Sequence, residues 1–149
     1  MVAEPLTEDA FRPFGTVVTR PSDAPDAAGP GWSWWARTGA LPPADYAIGY
    51  LALEPSASAF DWAEYHPDSV ELIAPLSGEC LVYVAAPGED PGDFRAFRVP
   101  AGEAVILARG VWHGAPLALA APLTAMVALQ HRADTVMARF DRIPITLED

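Results

Sequence analysis

Apolar and polar positions along the chain follow one recurring pattern from residue 46 onward. Short runs that are apolar or strictly alternating end at breaks rich in Gly, Pro and Asp. Period-two runs bounded by turn residues are the signature of strands. The segments YAIGYLAL (46–53), AFDWAEY (59–65), VELIAPL (70–76), ECLVYVAA (79–86), FRAFRV (94–99), EAVILA (103–108), PLALA (116–120) and LTAMVALQ (123–130) are therefore predicted strands. Between them stand PGEDPGD, PAG, RG and AAP, each with turn chemistry. Near the start, LTEDAFRPFG predicts a short helix, with Thr7 as N-cap, Glu8 and Asp9 in the first turn and Gly15 as the stop. A short strand follows at TVV (16–18), and PSDAPDAAGPG (21–31) is expected to be a mobile loop. No segment sustains a 3.6-residue period, and ADTVMARF (133–140) is the one other helical candidate. Many short strands with regular turns predict a single all-β domain over 1–149, a small barrel.

Composition narrows the function classes. A chain of 149 residues that is 51% hydrophobic can bury a core, and its 11 Gly and 16 Pro suit many short elements. Net charge is −11, and all nine basic residues are Arg. That balance lacks the basic face a nucleic-acid partner requires. The single cysteine, Cys80, excludes an intramolecular disulfide and suits a reducing compartment. MVAEPLTEDAF has no signal-peptide pattern, and no apolar run approaches the roughly 18 residues of a membrane span. A cytoplasmic protein without membrane attachment is the expectation.

Chemistry concentrates in EYHPDSVELIAPLSGE, residues 64–79. On a strand Glu64 and His66 share a face while Tyr65 points away. Pro67 interrupts the ladder, and Glu71 enters on the next extended run. Downstream, ARGVWHGAP places His113 after a glycine turn, beside Trp112. Charged groups on such strands either face water or converge on something that pairs with them. Arg109 either pairs bidentately with a carboxylate or forms a rim salt bridge. In GWSWWARTG, Trp32 and Trp34 share a face and line a pocket mouth or a dimer surface, with core packing expected for at least one of the tryptophans; Arg37 faces the site or the surface. His131 is expected to lie outside any ligand set, Cys80 to be a buried small hydrophobe, and Arg95 and Arg98 to face opposite sides. A homodimer is expected.

His66, four residues, Glu71, six residues and Gly78 resemble the second half of the first cupin motif, with Glu64 in the place of that motif's first histidine. GVWH, Gly110 to His113, resembles the end of the second motif. The resemblance implies a cupin-type small β-barrel, a double-stranded β-helix, with a metal ion in its mouth. It sets Glu64, His66, Glu71 and His113 around one divalent ion, for which a nitrogen and oxygen donor set suits nickel, manganese, iron or zinc. Glu64 is either a ligand or a free carboxylate acting as base.

A wider pattern resembles the ureidoglycolate lyase family. Glu64, His66 and Pro67 lead to Pro75, Gly78 and Glu79; later Arg95, Ala96 and Phe97 lead to Arg109, Gly110, Val111, Trp112 and His113, and the opening LTEDAFRPFGTVV is also similar. The resemblance implies a metal-dependent lyase that eliminates urea, or a related amine or amide, from a small 2-hydroxy acid to give glyoxylate or a similar oxo acid. Glu64 or Glu71 would take the hydroxyl proton, and Arg109 could hold a carboxylate. The chain departs from the family at pocket positions: Glu71 stands where Gln is usual, Ala108 and Gly114 where His is usual, Ala52 where Arg is usual, and Gln130 and His131 near the usual Asp-Arg. These departures point to a different substrate or altered chemistry. Rival readings are another metal cupin enzyme, an isomerase or iron dioxygenase, and a metal-free cupin that binds a small molecule.

Overall fold

A computed structural model describes residues 1–56 and 58–148. In chain order the elements are β1 (Ala3–Pro5), α1 (Glu8–Phe11), β2 (Gly15–Val18), β3 (Ala27–Gly29), β4 (Trp32–Trp34), β5 (Tyr46–Leu53), β6 (Ala59–Tyr65) and β7 (Glu71–Pro75). They continue as β8 (Glu79–Ala85), β9 (Arg95–Pro100), β10 (Ala104–Leu107), β11 (Trp112–His113), β12 (Leu117–Ala118), β13 (Leu123–Gln130) and β14 (Val136–Pro144). The helix starts as expected, with Thr7 Oγ1 accepting from the Ala10 amide and Glu8 and Asp9 in the first turn.

Two sheets form the body. The larger runs β1-β9-β8-β11-β6-β14, with β12 also on β8; the smaller runs β2-β10-β7-β13-β5. Side chains alternate across β8. Cys80, Val82 and Val84 enter a core with Ile73, Phe97 and Val105, whereas Leu81, Tyr83 and Ala85 pack into a second cluster with Phe60 and Trp112. Burial on both faces explains why ECLVYVA reads as a near-continuous apolar run. Cys80 is fully buried, and burial pushes its thiol up to about 12.

Three expectations are corrected. Residues 133–140 contribute to strand β14, which pairs antiparallel with β6, not to a helix. The segment read as loop over 21–31 contains β3, which pairs with β4 through a turn where Gly31 holds φ +82. Trp32 and Trp34 are 54% and 58% exposed on β4, and Trp35 is half-buried under Arg20, so none of the three enters the core. Arg37 is exposed. Among the described residues no helix is long and apolar enough to cross a membrane.

Candidate active site

Both sheets contribute to one cluster. Glu64 on β6 stands directly opposite His113 on β11 in the larger sheet. Glu71 opens β7 in the smaller sheet, between Leu107 and Leu129. His66 lies just past the end of β6, and its carbonyl accepts the Gly110 amide at 2.9 Å, tying the two motif segments together. The motif glycines make these turns possible, because Gly78 and Gly110 hold φ of +65 and +77, a region unfavourable for residues with a Cβ.

At the centre is Glu71. Its Oε2 lies 2.8 Å from His113 Nε2, within hydrogen-bond distance, and 3.1 Å from His66 Nε2. That second contact is off the donor direction, so the buried His66 Nε2 has no hydrogen-bond partner. Glu64 Oε1 is 4.0 Å from the same nitrogen. Glu64, His66 and His113 each present a donor atom within 4.8 Å of the other two, a grouping able to hold a metal ion. Both imidazoles are about 3% exposed.

Second contacts orient the rings. His66 Nδ1 is 2.9 Å from the carbonyl of Asp134, and His113 Nδ1 is 2.9 Å from the carbonyl of Val111. Carbonyl oxygens only accept, so each Nδ1 carries a proton, and in the neutral ring Nε2 turns its lone pair inward. Two nitrogen lone pairs and two carboxylates thus converge on one point. Such a group holds together only with a proton or a cation among its members, which is the donor arrangement of a metal centre with its ring orientation fixed from outside. The electrostatics agree. Burial opposes charge on Glu71, but His113 and His66 outweigh it and hold the carboxyl at about 2. Burial likewise works against a charged His66, and Glu71, the Asp134 carbonyl and Glu64 overcome it to raise the imidazole.

Beside the cluster is a cavity of about 340 Å³ onto which Glu64 and Glu71 open. Trp62, two residues before Glu64, lines it together with Leu51, Val127 and Leu129. Gly114 to Pro116 close another side. Gly114 is obligatory there: a Cβ on it would fall well inside contact with Tyr83 Oη and Cζ. The Tyr83 hydroxyl, which donates to the Trp62 carbonyl at 3.0 Å, fills the space a side chain at 114 would use.

The structure therefore brings Glu64, His66, Glu71 and His113 together as the motif spacing implied. Arg109 is exposed in the turn before β11 and is absent from the residues lining the cavity. His131 is exposed. Sequence reasoning missed the Asp134 carbonyl behind His66, the Tyr83–Gly114 contact and Trp62; only Trp62 carried a signal, its two-residue spacing from Glu64.

The family model for ureidoglycolate lyase matches residues 1–145. A ureidoglycolate lyase of Stutzerimonas stutzeri (strain A1501) is 35% identical over 124 residues, covering 76% of this chain and 72% of that protein. Ureidoglycolate lyase 2 of Rhizobium meliloti (strain 1021) is 34% identical over 120 residues, 74% of this chain and 73% of that one. Among solved structures, the formate complex of the Lactobacillus farciminis oxalate decarboxylase superposes with a TM-score of 0.50 at 16% identity, over 62% of this chain and 26% of that one. This likeness concerns the fold alone, and it agrees with the cupin-type barrel.

Proposed function

The chain belongs to the ureidoglycolate lyase family, and from that premise we propose that it is a metal-dependent carbon–nitrogen lyase acting on a small molecule whose hydroxyl and nitrogen share one carbon, with ureidoglycolate as the reference substrate. The observation that carries this reading is the convergence of two Nε2 lone pairs and two carboxylates beside a cavity. His66, His113 and Glu71 would hold the ion. A divalent ion there would act as a Lewis acid toward a substrate oxygen.

Glu64 is the more exposed of the two carboxylates, 26% against 12% for the side chains, and it opens onto the cavity. It would take the hydroxyl proton as the carbonyl forms and the C–N bond breaks, then return that proton to the departing nitrogen. Glu71, pinned between two imidazoles, is not free for this role. Substituting Glu64→Gln tests the division. Retained metal with turnover lost marks Glu64 as the base, whereas lost metal marks it as a ligand and overturns the assignment.

A further inference from the structure

Away from its two carboxylates the cavity is largely apolar. Trp62, Leu51, Pro116, Val127 and Leu129 face it. Among the described lining residues there is no Arg, Ser, Thr or His side chain; the remaining polar side-chain groups are the hydroxyl of Tyr50, a residue 66% exposed, and the Trp62 indole N–H. A ureido group carries several N–H donors and a carbonyl that find few partners on this wall, so such a group belongs on the side of Glu64 and Glu71. Arg139 stands opposite Trp62 in register, but it is exposed on β14 and is not a lining residue, so a distal charged group would have to reach the rim to meet it.

The cavity also has space for such a wall to be used. At about 340 Å³ it stands near the lower end of the roughly 300–1,000 Å³ range of small-molecule sites. Small residues on the inner face of β5 create this room. Ala47 and Gly49 stand opposite Leu129 and Val127, and a Cβ on Gly49 would meet only Val127, at the ordinary distance of 3.8 Å.

We propose that the substrate of this site carries an apolar group, a branched alkyl chain or a ring, that packs between β5 and β13 and Trp62 while the reacting carbon faces Glu64. This rests on the lyase reading for the head group only. The bond changes are those given above: hydroxyl proton to Glu64, carbonyl formed, C–N bond broken, proton to nitrogen. The products would be an apolar aldehyde or oxo acid and an amide or urea.

The test uses unreactive 2-hydroxy acids that share one head group and charge. Glycolate, 2-hydroxybutanoate and 2-hydroxy-4-methylpentanoate are titrated by calorimetry into the manganese-loaded protein. Affinity should rise at each step and gain at least about tenfold from first to last, the low end of what one buried methylene discriminates. Gly49→Leu should flatten that ladder; if this variant does not fold, Leu129→Gln takes its place. A flat or falling ladder in the unaltered protein overturns the proposal. Because these acids contain no C–N bond, a rising ladder without turnover of ureidoglycolate would sink the lyase reading and leave the pocket inference standing, and turnover with a flat ladder would do the reverse.

Discussion

Replacing Gly114 by Ala adds one methyl group at the edge of the cavity, and the cost follows from what that methyl meets. It would overlap Tyr83 Oη and Cζ and come within 3.1 Å of Cε2. Tyr83 cannot yield cheaply. It is 1% exposed, its ring is stacked on Phe60 at 3.7 Å, and its hydroxyl donates to the Trp62 carbonyl. Overpacking a filled core costs about 1–3 kcal/mol. Pulling the hydroxyl from its carbonyl leaves buried polar groups unpaired, about 1–3 kcal/mol more. The sum, about 2–6 kcal/mol, corresponds at roughly 2–4 °C per kcal/mol to a melting point lower by about 4–24 °C. Differential scanning calorimetry of the variant measures this directly. Tyr83→Phe removes the atom struck first, so Gly114→Ala should cost less in that background, a coupling that a double-mutant cycle isolates. A Gly114→Ala protein that melts within about 1 °C of its parent, the range of an ordinary surface change, would refute the placement of Tyr83. So would an identical cost in both backgrounds.

His66→Ala and His113→Ala should each weaken metal binding by more than the roughly 10–100-fold typical of an outer-shell change; metal analysis after dialysis that finds full occupancy in both would remove them from the ligand set. Glu4 is held below its ordinary 4.5, chiefly by the hydrogen bond from Arg95, with burial opposing. A carboxyl whose folded value is depressed stabilises above its ordinary value, and that contribution is lost as pH falls through the folded value. Both side chains are about a third exposed, so solvent screening keeps the contribution below about 1 kcal/mol. Melting curves of the parent and Glu4→Gln should therefore differ slightly at neutral pH and converge below pH 4.5; a gap that widens in acid would contradict the pairing. Cys80 should resist a thiol reagent in the folded protein and react fully once denaturant unfolds it. Rapid labelling under native conditions would show that β8 is not buried on both faces.

Strands were legible where short apolar or alternating runs end at turn residues. The runs at 46–53, 59–65 and 123–130 coincide with β5, β6 and β13. β14 was hidden from such a reading. Most of its residues are exposed, the register with β6 shifts between Arg139 and Ile143, and Ala, Met and Arg favour helices locally; pairing with β6 overrides that preference. Trp32 and Trp34 misled because size suggests burial, whereas β4 pairs only with the short β3 at the surface. In the site, side-chain ligands repeat at motif spacing and can be read from the chain. The Asp134 carbonyl that orients His66 cannot, since a main-chain acceptor leaves no mark in side-chain identity. Nor can the fit of Tyr83 against Gly114, which only the folded sheet brings together.

The central claim is that a metal ion among His66, His113 and Glu71 serves a lyase reaction. Its most direct test is glyoxylate release from racemic ureidoglycolate, followed while metal occupancy is varied from stripped to full and measured on the same samples. Release that rises in proportion to occupancy and disappears on stripping is the predicted result. No release at full occupancy, or release indifferent to the metal, would contradict it.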